Sequence, residues 1–154
     1  MRKLASVLAV ALAVCLSGWF AVCVAADVAS SGPALTAQDA WLRVTPGSDV
    51  AAAYVTLHNA GSRAITVVSV ESPAASMAMI HETKIEGGMA RMRSHASLVI
   101  APGQTLKLQP EGLHIMLHGL ARPLSPADSV TLVLSLADGT SVQIVARVRP
   151  LNGQ

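Results

Sequence analysis

Short apolar segments separated by glycine and proline are the feature that most constrains the fold of this chain. Turn-forming pairs such as Pro46-Gly47, Pro102-Gly103 and Asp138-Gly139 divide it into short pieces, and pairs of this kind end strands. No piece keeps a helical hydrophobic period over three turns. We predict ten strands, at residues 40–44, 52–57, 64–70, 77–85, 89–93, 98–100, 105–108, 113–117, 130–136 and 141–148. Many short strands favour an all-β Greek-key sandwich or barrel.

The first 26 residues have the pattern of an export signal. A charged start, Arg2-Lys3, precedes small and apolar residues at 4–25, and Val24-Ala25-Ala26 offers a cleavage site. The alternative is a retained anchor, because the apolar run is long enough to span a bilayer. Lipidation is disfavoured, since valine rather than a small residue stands directly before both Cys15 and Cys23. We predict cleavage after residue 26 and a periplasmic protein that is not bound to the membrane.

Removal of this signal changes the chemistry of the chain. Both cysteines lie within it, so residues 27–154 contain no disulfide and no thiolate ligand. Two of the eleven Lys and Arg residues also leave, and the nine that remain match the nine Asp and Glu residues. Without net charge or a basic run, nucleic acid is not an expected partner. We expect a loose N-terminus at 27–36, a β-sandwich domain at 37–149 and a short end at 150–154.

Methionine and histidine are concentrated in one window of the sequence. Apart from Met1, all methionines lie between residues 77 and 116, together with three histidines; they are Met77, Met79, Met89, Met92, Met116, His81, His95 and His114. Thioether and imidazole together suit copper(I), whereas zinc and iron sites prefer thiolate, imidazole and carboxylate. The lack of a cysteine excludes a blue-copper site. The window therefore indicates a protein that holds copper(I) rather than one that transfers electrons quickly.

Strand alternation places candidate ligands in pairs. His114 and Met116 are two residues apart in a predicted strand and leave the same face, and Met79 and His81 repeat this arrangement. Two such strands side by side would gather four donors. The ordinary alternative stays open for each residue, because methionine commonly fills cores and a lone strand histidine is more often packed or exposed than a ligand.

Other residues of the window have simpler interpretations. For Met77 a place in the core stays open as the ordinary alternative, and Met89, beside the Gly87-Gly88 turn, is either exposed or near the metal. We interpret His118 as a residue at the end of a strand. His58 precedes a turn and is expected at the surface. We expect that His95 does not bind the metal directly.

The spacing of four residues resembles a known signature. His81, Met92, His114 and Met116 follow the pattern H-x10-M-x21-H-x-M, which is that of the periplasmic copper-A chaperone family (PCuAC-like proteins). The likeness extends over about residues 36–149 and includes Trp41-Leu42-Arg43, His81-Glu82-Thr83 and the segment 113–120.

The resemblance implies a cupredoxin-like β-sandwich and a solvent-near copper(I) site. Its ligands would be His81, Met92, His114 and Met116, and we keep Met79 and Met89 as auxiliary residues. The resemblance also implies copper delivery towards the copper-A centre of cytochrome oxidase. The expected partner is then the oxidase subunit with this centre, or another copper-assembly protein. Some family members carry a Met- and His-rich tail that binds copper(II), and residues 150–154 do not match it.

Three functions compete at this stage. The first is a copper(I) carrier, and the second is a copper buffer or resistance protein that only sequesters the metal. The third, an enzyme, is disfavoured because the chain has neither H-E-x-x-H nor G-x-S-x-G. A β-sandwich with a purely structural role would not account for the clustered methionines. Carrier and buffer share the same site, so transfer to a partner is what separates them.

Overall fold

The computed structural model describes residues 34–45, 47–126 and 128–150, and the regular structure in these ranges is entirely β. Its ten strands are β1 Leu35–Val44, β2 Val50–Asn59, β3 Ile65–Glu71, β4 Ala75–Glu86, β5 Met89–His95, β6 Leu98–Ile100, β7 Thr105–Leu108, β8 Leu113–Leu120, β9 Ser129–Leu136 and β10 Ser141–Arg149. The predicted all-β fold class is confirmed, with every predicted strand present. Within the described ranges, no helix is long and apolar enough to cross a bilayer.

The start of β1 differs from the sequence prediction. Leu35 and Thr36, expected in the loose N-terminus, pair with Asn59 and His58 of β2. Leu35 is 1% exposed. Burial of a leucine side chain contributes about 2 kcal/mol to the stability of the fold, and this favours an ordered strand over a loose N-terminus. The predicted signal and residues 27–33 lie outside the described residues.

The strands form one hydrogen-bonded sheet in the order β5-β4-β8-β2-β1-β10-β9-β3-β6, with β7 beside the second half of β2. β1 and β10, the first and last strands, pair in parallel, and the remaining pairs are antiparallel. Neighbours that are not consecutive in the chain require crossovers, as in Greek-key folds. The sheet therefore joins distant segments, and β4 and β8 become neighbours although β5, β6 and β7 separate them in sequence.

A single apolar core lies on the inner face of this curled sheet. Alternate residues of β9 and β10, such as Leu132, Leu134, Ile144 and Ala146, are buried and their neighbours are more exposed. Ile80 of β4 and Ile115 and Leu117 of β8 belong to the same core. Because successive side chains leave opposite faces of a strand, the even-numbered positions of β8 and the odd-numbered positions of β4 face outwards.

A β-bulge in β1 positions the aromatic residues next to this outer face. The β1–β2 register shifts between Gln38 and Trp41, and Asp39 adopts a positive φ of 53° there, which aspartate tolerates better than most residues. After the bulge, Trp41 pairs with Tyr54 on one side and with Arg147 of β10 on the other.

Candidate metal centre

The outer face of β4 and β8 carries three cross-strand pairs of metal-type side chains. His81 lies opposite His114, Met79 opposite Met116, and Met77 opposite His118. Side chains directly opposite in antiparallel strands have Cβ atoms roughly 4.5–5.5 Å apart. We call this surface, together with Met92 of β5, the His–Met face.

The β4–β5 hairpin brings Met92 onto the same face. Glu86 pairs with Met89, so the loop is Gly87-Gly88, and both glycines have positive φ, 60° and 78°. This is the geometry of a two-residue type I′ turn, which glycine adopts without strain. His81 lies opposite Ser94, and Met92 is two residues away on the same face.

Met92 and His81 are two candidate ligands in direct contact. His81 Nδ1 and Met92 Sδ are 3.2 Å apart, and the rings of His81 and His114 have centroids 5.9 Å apart at 89°. Bonds of about 2.0 Å to nitrogen and 2.3 Å to sulfur, as zinc makes, put two ligand atoms of one ion roughly 3–4 Å apart. One ion can therefore contact both atoms with little rearrangement.

His114 is the buried anchor of the cluster, at 5% exposure. Its Nδ1–H donates to the carbonyl of Gly112 at 3.0 Å, because a carbonyl oxygen can only accept. The other nitrogen, Nε2, then carries the free lone pair in the neutral ring, and such a fixed tautomer is the usual arrangement in histidine metal ligands.

Two aromatic rings form a wall beside His114. The Tyr54 ring lies 6.4 Å from the His114 ring, and the Trp41 ring lies 4.4 Å from that of Tyr54. Burial raises the pKa of Tyr54, and the nearby Arg43 opposes this shift. The guanidinium groups of Arg43 and Arg149 lie over the Trp41 ring at 5.6 and 5.0 Å. A pair of aromatic rings therefore adjoins the buried His114 on one side.

Burial and neighbouring charge lower the pKa of His81. Desolvation is the largest cause, followed by repulsion from His114 and then from His118. A lowered pKa keeps the imidazole neutral, which is the form that binds metal. Burial, with a smaller contribution from His114 and His118, therefore favours the neutral, metal-binding form of His81.

Not every methionine and histidine of the window joins the His–Met face. Met89 is three residues from Met92 in β5, so its side chain leaves the opposite face of the hairpin. His95 also lies there, where its Nε2 is 3.1 Å from a Glu82 carboxylate oxygen. The structure thus brings Met79 to the cluster but not Met89, because strand alternation separates residues three apart.

The structure differs from one alternative and one interpretation of this window. Met77 is 52% exposed rather than part of the core, because β4 turns its other face inwards. His118 is not at a strand end, since β8 continues to Leu120. His58 lies at the far end of β2, where its Nδ1 is 3.0 Å from Thr105 Oγ1.

The donor set of this face is soft and neutral. Within the described parts of the chain, no three His, Cys, Asp or Glu side chains lie together as a metal site. The side chains paired on the His–Met face offer imidazole and thioether donors, and thioether sulfur selects copper(I) over zinc. The sequence did not identify Tyr54, Trp41 and Gly112 as residues that support the site, although aromatic residues are scarce, at 3% of the chain, and Trp41 lies in a segment that resembles the family.

Fold and site together define a class of protein: a small cupredoxin-like β-sandwich with a partly buried histidine–methionine cluster at one sheet face. The family model described as "Putative lipoprotein LpqE-like" matches residues 35–148, and the chain belongs to this LpqE-like family. A relative from Leifsonia xyli subsp. xyli (strain CTCB07), "Putative lipoprotein Lxx21020", is 36% identical over 115 residues, which are 74% of this chain and 69% of the relative. These relatives indicate an exported protein of the cell envelope.

Solved PCuAC and related structures have the same fold. The copper(I) form of DR1885 from Deinococcus radiodurans is 36% identical, with a TM-score of 0.62 and coverage of 79% of this chain and 81% of that one. A copper-bound PCuAC domain from PmoF2 has a TM-score of 0.64 at 18% identity, covering 76% and 93% of the two chains. At that identity the second likeness shows the fold alone.

Proposed function

We propose that this protein is a periplasmic copper(I) carrier that binds the ion at His81, Met92, His114 and Met116. The observation that carries the proposal is the convergence of imidazole and thioether donors on one sheet face, with His81 Nδ1 and Met92 Sδ 3.2 Å apart. The 36% identity to DR1885, which has been solved with copper(I), supports the same cargo.

Two of the proposed ligands, His114 and Met92, differ in exposure in a way that suits transfer of the ion. His114 is buried and its tautomer is fixed by Gly112, whereas Met92 is 52% exposed on an edge hairpin. Met92 is therefore the ligand that an incoming partner replaces first, and His114 is the last to release the ion. Neutral donors hold copper(I) without the anionic thiolates that would slow its release.

The proposed destination is the copper-A site of a respiratory cytochrome oxidase, reached directly or through another copper-assembly protein. The match of His81, Met92, His114 and Met116 to the PCuAC signature supports this destination, and the exported character of the relatives is compatible with it. The second candidate is a buffer that sequesters copper with the same residues, without specific delivery.

Copper transfer in a purified system tests the proposal. The copper(I)-loaded protein is mixed with the metal-free soluble copper-A domain under reducing, oxygen-free conditions, and copper is measured on each protein after separation. We expect transfer from the wild type and failure of His114→Ala to load with copper. Tight binding without transfer would favour the buffer, and equal occupancy by zinc in competition at neutral pH would contradict a copper(I) site.

A further inference from the structure

His118 is not one of the four proposed ligands, yet it lies on the same face. It is two residues beyond Met116 in β8 and directly opposite Met77 of β4. The centroid of its ring is 6.4 Å from that of His81. The Met77–His118 pair therefore repeats, at the next position along the strands, the combination of thioether and imidazole that characterises the first site.

The buried nitrogen of His118 is unusual for a structural histidine. Among the described residues, His118 Nε2 is a buried side-chain nitrogen with no hydrogen-bond partner. Buried polar atoms in folded proteins nearly always have a partner, so such an atom needs an explanation. Met77, opposite it, is 52% exposed although methionine is a typical core residue.

We propose that Met77 and His118 form a second copper(I) position, weaker than the first, on the His–Met face. Both donors are neutral and of the types that bind copper(I), and their direct cross-strand pairing puts them within reach of one ion. Met79 and Met116 form the pair between the two positions and can contribute sulfur to either. This position is additional to the proposed four-residue site and uses neither His81 nor Met92 nor His114.

The spacing of the strands sets the relation between the two positions. Neighbouring pairs on this face are two residues apart along each strand, which corresponds to roughly 7 Å. The Met77–His118 pair is next to the Met79–Met116 pair, and the His81–His114 pair follows on the other side of Met79–Met116. Two positive ions on one face repel each other, which lowers the affinity for the second ion. A single ion, by contrast, can move along the face from His118 and Met77 through the methionine pair to His114.

Copper(I) stoichiometry of the full mature chain tests this proposal. Copper(I) is titrated without oxygen against a chromogenic copper(I) chelator of known affinity, for the wild type, Met77→Leu and Met89→Leu. We expect the wild type to bind two ions, one tightly and one at least about 10-fold more weakly. The second position is weaker because it has fewer ligands than the first. Met77→Leu should bind one ion with unchanged tight affinity, because leucine has nearly the same volume at an exposed position.

Met89→Leu is the matched control, since Met89 is also exposed, at 61%, but lies on the opposite face of the hairpin. It should keep both ions, and His118→Gln, with its fold verified by circular dichroism, should behave as Met77→Leu does. A wild type that binds a single ion, or a Met77→Leu variant that keeps two, would overturn the second position and leave the proposed carrier intact. A wild type that binds no copper(I) would overturn both.

Discussion

His114 and Met92 represent the two extremes of exposure within the proposed ligand set. The first is held by the backbone carbonyl of Gly112 and by the Tyr54 ring, and the second projects from an edge hairpin. At the residue scale, the proposal therefore depends on which methionine of the hairpin supplies sulfur. Alternation along β5 assigns this role to Met92 and separates Met89 from it.

Replacement of Met92 by leucine should weaken copper(I) binding by at least about 10-fold. Loss of a group that merely supports a ligand already costs about 10–100-fold in metal affinity, and Met92 is proposed as a ligand itself. Met89→Leu, in the same strand, should bind as the wild type does, and both variants should keep the fold because leucine conserves volume. Affinity is measured by chelator competition; equal losses in the two variants would show that the hairpin binds in another register.

The lowered pKa of His81 predicts the pH range of copper binding. Burial, and then the charges of His114 and His118, keep this pKa below the usual 6.5. Copper(I) affinity should therefore persist as pH falls to 6.5 and decrease only below it, as protons displace the ion from His81. In the unfolded chain the pKa of His81 is the usual value, so His81 is protonated there at a higher pH than in the folded protein. The apo fold therefore loses some stability as pH falls below about 6.5.

NMR titration of the apo protein checks this directly. The His81 imidazole should titrate with a midpoint below 6.5, and His118→Asn should raise that midpoint because one repelling charge is removed. A His81 midpoint at or above 6.5 in the wild type would mean that the side chain is better solvated, or better paired with an acid, than the structure indicates.

At the scale of single elements, the pairing of β4 with β8 determines the His–Met face, and Gly119 is the position where it is most sensitive. Gly119 has a φ of +63°, and a Cβ there would collide with Ser76 Oγ, which donates to the His118 carbonyl at 3.1 Å. The end of β8 can approach β4 this closely only without a side chain. Glycine is thus favoured by the backbone conformation and by the contact, since a Cβ would displace the Ser76 hydroxyl from its hydrogen bond.

Gly119→Ala should destabilise the protein more than Gly139→Ala does. Gly139 also has a positive φ, 85°, but a Cβ there meets open space, so its replacement costs about 1 kcal/mol of backbone strain. At Gly119 the collision adds about 1–3 kcal/mol. Chemical denaturation of both variants measures the difference, and equal losses would mean that Ser76 moves aside freely.

At the scale of the whole molecule, a buried polar network and the proposed metal site lie towards opposite ends of β2. Asn59, at the end of β2, is fully buried, and its amide donates to the carbonyls of Arg63, Ile100 and Ala101. Its Oδ1 accepts from the Gly61 amide at 2.9 Å. Met116 pairs with Ala52, seven residues away, which is roughly 23 Å along a strand.

Asn59→Ala should therefore reduce stability without changing copper(I) affinity. Each buried polar group that loses its partner costs about 1–3 kcal/mol, so we expect a loss of about 3 kcal/mol or more in the free energy of unfolding. Thr36→Ala, which removes an exposed hydrogen bond to His58, should stay within about 0.5 kcal/mol of the wild type. A copper affinity that falls together with stability in Asn59→Ala would show that the two ends are coupled.

The sequence alone determined the ten strands and the pairs of residues that share a face, because turn residues and two-residue alternation are local properties. Thr105–Leu108 and Leu98–Ile100 were predicted at their observed bounds for this reason. Local patterns also placed His114 with Met116, and Met79 with His81. The cupredoxin-like class and the four-residue ligand set came from the spacing of the signature; the class is confirmed and the ligand set stays a prediction.

Only the tertiary structure decided which strands are neighbours and which of their faces is covered. The crossover that brings β8 beside β4 aligns His81 with His114 and Met77 with His118, and no local pattern specifies that register. The place of Met77, core or surface, stayed open in the sequence because alternation fixes which residues share a face but not which face packs inwards. The Trp41–Tyr54 wall depends on a bulge in β1, and the isolation of His118 Nε2 depends on packing from several strands. These features arise from contacts between segments far apart in sequence, which periodicity within one segment cannot encode.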